Sequence, residues 1–232
     1  MGKFVCRSLQ IEKEGRRYVD ISFSICRSLA LVGESGSGKS LTLKALLGML
    51  PAGFTARLEC ESDFEPVRGK TLAYVPQNPF TALSPLTKIK DQWILFRERA
   101  PQMMEQVGLD RALLDRFVPE LSGGQLQRIV IAMALSAEPK LLLLDEPTTA
   151  LDAELRGMIV DLLLRLQSRL GFKMLFVTHD IATARKLCSE ITVIKEGRVI
   201  ESGSMRDVIE NPKTDYTKAL IEANFANREF RE

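Results

Sequence analysis

The chain has 232 residues, enough for one large domain or a domain with a subdomain, and its 45% hydrophobic content can fill a substantial core. Lys and Arg number 32 against 30 Asp and Glu, a net charge of +2, and no basic block or aromatic–basic interleaving argues for nucleic acid. No apolar run approaches the ~20 residues of a membrane-spanning helix, so work at a membrane would go through a partner. The cysteines Cys6, Cys26, Cys60 and Cys188 form no C-x-x-C pair and support neither a zinc site nor an iron–sulfur cluster. With no secretion signal they are expected to be reduced and cytosolic.

Residues 1–32 read as β structure. Phe4 to Ile11 is followed by a charged turn around Gly15, and Tyr18 to Ile25 alternates as a half-buried strand does. Tyr18 is read as an ordinary strand aromatic rather than a base-stacking one. The apolar strand Leu29–Val32 then leads into Gly33-Glu34-Ser35-Gly36-Ser37-Gly38-Lys39-Ser40, which fits G-x-x-x-x-G-K-[ST] at every fixed position. Leu43, Leu46, Leu47 and Leu50 follow at i, i+3, i+4 and i+7, one stripe of a helix from Leu41 to Leu50 that Pro51 and Gly53 stop. Strand, glycine loop and helix make a phosphate cradle. Glycines free the loop to aim N–H groups at an anion, and the helix N-terminus adds its dipole. Lys39 can reach the outer phosphates as a point charge, and Ser40 can offer its hydroxyl to Mg²⁺.

Residues 54–70 are polar and poorly periodic, a short hairpin region at a sheet edge. Thr71–Val75 is a strand broken by Pro76-Gln77-Asn78-Pro79, so Gln77 sits just past its C-terminal end, where ligands bind in open α/β sheets. No strand is evident over 80–120. Trp93–Phe96, Met103–Val107 and Leu109–Phe117 suggest short helices broken at Pro101 and Gly108, a helical insertion.

Leu121-Ser122-Gly123-Gly124-Gln125 opens a helix to about Ala137, with Ser122 as N-cap and a bare N-terminus that carries no lysine. Leu141–Leu144 is a continuous apolar run, as a strand buried on both faces requires. It delivers Asp145 and Glu146, two carboxylates that are costly after four leucines unless employed. Asp145 can hold Mg²⁺ directly or through water, and Glu146 can polarise a water as a base. A turn over Pro147–Asp152 leads into an amphipathic helix from Ala153 to Leu170, with Gly171 as its C-cap. The strand Met174–Val177 ends at Thr178-His179-Asp180. His179 is the only histidine, which rules out a multi-histidine metal site. Glu196-Gly197 joins two strands as a hairpin, Ser204 caps a short helix to Glu210, and a last helix runs from about Thr214 to Ala223. Asn224–Glu232 are expected to fray.

In order and spacing, Gly33–Ser40, Gln77, Leu121–Gln125, Leu141–Glu146 and His179 resemble the ATP-binding-cassette ATPases across essentially the whole chain. The L-S-G-G-Q pentapeptide is the most specific signal. Val75–Pro79 with Ala82–Pro85, Asp145–Asp152 and Asn211–Leu220 look like ATPase subunits of the peptide/nickel importers, and Leu29–Gly53 is somewhat closer to nickel-type ones. No aromatic stands at that family's adenine-stacking position before the cradle.

The resemblance implies a P-loop NTPase (RecA-like) α/β fold in one 1–232 domain. Its mostly parallel core and N-terminal antiparallel β subdomain would take residues 1–77 and 138–232, and a helical subdomain 78–137. It also implies that ATP is held by Gly33, Glu34, Ser35, Gly36, Ser37, Gly38, Lys39, Ser40 and Leu41. Ser40, Gln77 and Asp145 would serve the metal, Glu146 would orient the attacking water, and His179 would contact the γ-phosphate. Ser122, Gly123, Gly124 and Gln125 would cap ATP on an opposite subunit, identical or related, with Asp152 at the dimer seam. Partners would be a membrane permease and, indirectly, a solute-binding protein, at the cytoplasmic face of a bacterial membrane, with nickel or a small peptide as cargo. The rival reading is a soluble cassette ATPase of DNA repair or translation. A non-hydrolysing regulator is disfavoured by Glu146 and His179.

Overall fold

The computed structural model describes residues 2–149 and 151–226, with side chains as far as Asn224. Its strands are β1 (Phe4–Lys13), β2 (Arg16–Ile25), β3 (Ser28–Val32), β4 (Phe54–Glu61), β5 (Leu72–Val75), β6 (Leu141–Asp145), β7 (Lys173–Thr178), β8 (Glu190–Lys195) and β9 (Arg198–Ser204). Its helices are α1 (Lys39–Leu46), α2 (Pro79–Ala82), α3 (Ile89–Gln92), α4 (Ala100–Gln106), α5 (Gly123–Leu135), α6 (Ala153–Leu170), α7 (Ile181–Leu187), α8 (Met205–Glu210) and α9 (Asp215–Ala226). The fold is α/β with parallel and antiparallel strand pairs. Two compact units divide the chain, one formed by residues up to Glu65 together with Lys173 onward, the other by Pro66–Phe172.

In the first unit the strand order is β4-β1-β2-β9-β8-β3-β7. The β1–β2 hairpin turns at Glu14 and Gly15, both at positive φ, as a two-residue turn between twisted strands requires. Val19, Ile21, Phe23 and Ile25 are buried, the alternation expected of a strand covered on one face. β3 is buried at all five positions between the parallel neighbours β7 and β8. Tyr18 meets Phe54 edge-on at 5.2 Å and carries the Arg16 guanidinium over its ring at 5.2 Å, a packing role.

The expected hairpin over 54–70 is instead one edge strand. β4 pairs antiparallel with β1 over eight positions, because the chain returning from α1 finds the β1 edge open. α1 ends earlier than the leucine stripe predicts. Gly48, at φ 64°, closes it, with the Gly48 amide on the Ala45 carbonyl at 3.0 Å and the Met49 amide on that of Lys44 at 2.7 Å. Pro51 and Gly53 lie beyond the stop.

In the second unit β5 and β6 pair in parallel, and β6 is fully buried. Over 80–120 the described residues form short helices and turns, with bounds that differ from those expected. Pro101 stands in the first turn of α4, where its missing N–H costs nothing, so it starts this helix instead of breaking one. Leu109–Phe117 forms only a 3₁₀ turn over Arg111–Asp115, with the Asp110 side chain accepting from the Ala112 amide at 2.8 Å. Trp93–Phe96 is not helical. The Trp93 indole is buried and donates to the Ser136 hydroxyl at 3.2 Å, a tertiary bond that local propensity does not contain. Ala150 of the expected Pro147–Asp152 turn lies outside the described residues, as does Asn227–Glu232 of the expected frayed end. Asn224–Ala226 continue α9.

The start of α9 is fastened by a buried carboxylate. Glu201 of β9 is only 8% exposed and accepts from the Lys213 amide at 3.0 Å and the Thr214 amide at 3.3 Å. Burial alone would raise its pKa. The Lys213 amide, the Thr217 hydroxyl and the Thr214 amide outweigh that, and the carboxyl is held below the ordinary range. A depressed carboxylate gives stability that is complete above the unfolded pKa and is lost as pH falls through the folded one. Thermal melts between about pH 6 and pH 3 should therefore show a loss on acidification that is smaller in Glu201→Gln, with the variant less stable than the parent at neutral pH. Parallel pH profiles for the two proteins would exclude this role for Glu201.

Candidate nucleotide site

Gly33–Ser40 leaves the C-terminal end of β3 and runs into α1. The loop is pressed against other backbone: a Cβ at Gly33 would stand 2.2 Å from the Ile194 carbonyl oxygen, so glycine is required there by space. The tip of the β8–β9 hairpin props the loop from outside. The Gly197 amide donates to the Ser37 carbonyl at 3.0 Å, and the Gly197 carbonyl accepts from the Asp20 amide of β2 at 2.7 Å. A Cβ at Gly197 would lie 1.9 Å from the Tyr18 carbonyl oxygen.

Lys39 is 5% exposed, and its ammonium donates to the Gly33 and Glu34 carbonyls at 2.7 Å each. Those bonds make a buried cation tolerable and curl the loop around it. The Ser37 hydroxyl oxygen is buried without a hydrogen-bond partner among the described residues, the kind of orphan that a bound anion's surroundings can satisfy. Glu34, Ser35, Gly36 and Ser40 are exposed, and Leu41 is half-buried in the first turn of α1. These features fit a polyphosphate: a buried positive charge, an orphaned hydroxyl and a helix N-terminus without acidic residues in its first turn.

His179 stands beside this loop by strand register. Val32 and Thr178 are Cα partners on the parallel strands β3 and β7, so Gly33 and His179 leave neighbouring strands at the same level. His179 is exposed. Asp180 caps α7 through the Thr183 amide at 3.0 Å and fixes where the loop ends.

The second unit brings Gln77, Asp145 and Glu146 together at the C-terminal ends of β5 and β6. Asp145 is 6% exposed, and its Oδ2 accepts from the Tyr74 hydroxyl at 3.1 Å. Burial, then the Asp145 charge, push the Tyr74 phenol well above its ordinary pKa, so it remains a donor. Glu146 takes a left-handed backbone at φ 45°, a conformation that costs a non-glycine residue about 1 kcal/mol and is held by its surroundings. Its Oε2 accepts from the Thr149 hydroxyl at 3.0 Å and the Gln77 amide at 3.4 Å. The hydroxyl of Ser40, the amide oxygen of Gln77 and the carboxylate of Asp145 are hard oxygen donors, the chemistry that suits Mg²⁺.

Two helix N-termini complete this unit's share. Ser122 and Gln125 form a reciprocal capping box, with the Gln125 amide on the Ser122 hydroxyl at 3.2 Å and the Ser122 amide on the Gln125 side chain at 2.9 Å. The box occupies those two amides and not those of Gly123 and Gly124. Asp152 caps α6 through the Leu155 amide at 2.8 Å. A Cβ at Gly124 would stand 3.0 Å from a Leu155 methyl, so the two capped turns are packed side by side.

Sequence reasoning missed Tyr74 and Thr149. Tyr74 had a signal, being the one side chain with a polar tip in the apolar strand Leu72–Val75, which ends two residues before Gln77. Thr149 had none, because its bond to Glu146 depends on how the turn closes. Ser122 was read as an N-cap from sequence, and the structure adds Gln125 as the reciprocal member of a capping box.

A model described as ABC transporter matches residues 18–149. Over 237 residues the chain is 34% identical to the oligopeptide transport ATP-binding protein OppD of Bacillus subtilis (strain 168), an alignment covering 90% of this chain and 66% of that protein. It is 37% identical to the dipeptide transport ATP-binding protein DppF of Haemophilus influenzae, covering 88% of this chain and 68% of that one. The chain thus spans about two thirds of the length of these relatives. Among solved structures, cbiO1 of Clostridium perfringens, part of the ABC transporter complex cbiONQ, superposes with a TM-score of 0.76 at 26% identity over 97% of this chain and 96% of its own. The matching family model covers more than half of the chain, from Tyr18 in β2 to Thr149 beside the paired carboxylates, and this protein belongs to the ABC transporter family.

Proposed function

We propose that this chain is the ATP-hydrolysing subunit of an importer that takes up small peptides through a separate membrane permease. The observation that carries the hydrolytic reading is the Glu146 carboxylate, set on a left-handed backbone at the end of a buried strand and steadied by Thr149 and Gln77. A base held in this way can orient water without reorganising when the reaction begins. Lys39 and the amides of Gly33–Ser40 would neutralise and hold the phosphates of ATP, and His179 would touch the γ-phosphate. Ser40, Gln77 and Asp145 would hold Mg²⁺, which supplies charge neutralisation at the phosphates when bound.

Ser122–Gln125 lacks a basic side chain of its own, which suits a helix N-terminus that completes ATP bound to a second copy or a related subunit. Asp152, packed beside it, would then lie at the seam. Phe80, Leu86, Ile94, Leu95 and Phe117 are exposed, Leu86 and Ile94 at 84% and 85%. All five fall in the helical segment 78–137, and they suit a docking face for the permease. Through that segment and Gln77, closure on ATP and opening after hydrolysis would reach the membrane partner. No described helix is long and apolar enough to cross a membrane. Docked on the permease, the chain would sit peripherally at the cytoplasmic face, with a solute-binding protein delivering cargo. Of the two cargoes the sequence leaves open, nickel and small peptides, the relatives' names favour peptides.

Lys39→Ala should weaken ATP binding about tenfold or more, the scale of losing charge-assisted hydrogen bonds, as read by equilibrium titration with a fluorescent ATP analogue. Unchanged affinity would overturn the cradle. Glu146→Gln should keep ATP affinity and lower kcat by about 100-fold or more, leaving an ATP-bound dimer visible by size-exclusion chromatography. Hydrolysis at the parent rate would remove Glu146 as the base. Expressed from its own genome and affinity-purified from detergent extracts, the chain should bring integral membrane subunits with it. Recovery only from the soluble fraction, bound to nucleic acid, would instead favour the repair or translation reading.

A further inference from the structure

The last helix, α9, touches both loops that leave the C-terminal ends of β3 and β7. At its far end the Asn224 side chain accepts from the Ile181 amide through Oδ1 at 3.0 Å. Its Nδ2 donates to the Leu220 carbonyl at 3.0 Å, so the amide is oriented from both sides. Ile181 is the first residue of α7, and its N–H is one of the donors that a helix start leaves without an internal partner. Asp180 serves the Thr183 amide. Asn224 therefore finishes, from another helix, the cap of the turn that carries His179.

At its near end α9 reaches the phosphate cradle. The Tyr216 hydroxyl accepts from the Glu34 amide at 3.4 Å, and the Lys195 ammonium lies over the Tyr216 ring at 4.7 Å. The start of the helix is anchored in turn. Glu201 holds the Lys213 and Thr214 amides, and the Thr214 hydroxyl caps the helix through the Thr217 amide at 3.2 Å. A side chain anchored at one point only would follow its loop. A helix anchored in β9 and bonded to both loops limits how far each can move from the other.

We propose that α9 is a strut across these loops, with Asn224 a positioning residue for His179 and Tyr216 a positioning residue for the cradle. This rests on the reading that the cradle and His179 meet the phosphates of ATP. Neither side chain belongs to the site itself. Asn224 acts through the Ile181 amide two residues from His179, so its loss falls on turnover. Tyr216 acts through the Glu34 amide at the mouth of the cradle, so its loss falls on nucleotide binding. The 3.4 Å bond is the longer of the two, and its removal has the smaller effect.

The test measures kcat and KM for ATP in the full chain, with Tm recorded for every variant. Asn224→Leu, similar in size but without an acceptor, should lower kcat roughly two- to tenfold with KM little changed, the scale of one net hydrogen bond. Asn224→Asp, which keeps an acceptor for the Ile181 amide, should recover most of that kcat. Tyr216→Phe should raise KM about twofold at constant kcat. In the nucleotide-free chain, hydrogen exchange at the Ile181 amide should speed up in Asn224→Leu and not in Asn224→Asp. Parent-like kcat and exchange in Asn224→Leu would overturn the strut. So would equal losses in the Leu and Asp variants that follow their Tm. Lys39→Ala run in parallel separates the two readings. ATP affinity retained there overturns the cradle itself, whereas affinity lost there, beside parent kinetics in the α9 variants, overturns only the strut.

Discussion

Backbone packed directly on backbone is the contact from which the phosphate cradle takes its shape. The Gly33 Cα lies against the Ile194 carbonyl of β8, and Gly197 at the hairpin tip lies against the Tyr18 carbonyl of β2, with room for no side chain at either place. The Gly197 amide and carbonyl then tie the Ser37 carbonyl to the Asp20 amide, so the loop inherits the rigidity of three strand ends. A loop held in this way aims its N–H groups before any ligand arrives, and little ordering cost remains for binding. The loop's glycines answer to different demands: Gly33 to close approach, and Gly36, with open space beside it, to a left-handed backbone at φ 81°.

Three buried charges show three different solutions to desolvation. Lys39 rests on two carbonyls of its own loop, which keeps a cation buried at the proposed phosphate site. Asp145 is held by the Tyr74 hydroxyl, a neutral donor that leaves the carboxylate its charge. Glu201 takes the amides of Lys213 and Thr214 and so fastens the start of α9. A buried, perturbed carboxylate is thus no marker of the reaction by itself. What separates Asp145 from Glu201 is its place at a strand's C-terminal end beside Glu146 and Gln77.

The chemistry is built in separate parts. One unit carries the cradle and His179 on parallel neighbours in register, so a single strand pairing sets both. The other carries the two carboxylates and the capped N-termini of α5 and α6, with Gly124 packed on Leu155. Each part rests on local devices of small energy, a capping box, an Asp cap and a turn hydroxyl, which position polar groups without adding charge.

Strand, loop and helix assignments around the cradle were legible from sequence because they depend on neighbours in the chain: apolar runs, glycine spacing, and caps at i+3. Gly33–Ser40, Ser122 as N-cap, Asp145 with Glu146, and the Glu196-Gly197 turn all belong to that class. Boundaries set by competition were not legible. Gly48 closed α1 before Pro51 could, Pro101 opened a helix, and Trp93 left helical geometry for a bond to Ser136. Contacts between distant residues were invisible altogether: Tyr74 on Asp145, Tyr216 on Glu34 and Asn224 on Ile181. The sequence by itself determined which residue types stand ready for phosphate chemistry, since their spacing along the chain is a local property. Tertiary structure alone decided what holds each of them in place, because a hydrogen bond between residues far apart in sequence exists only once the strands carrying them have paired.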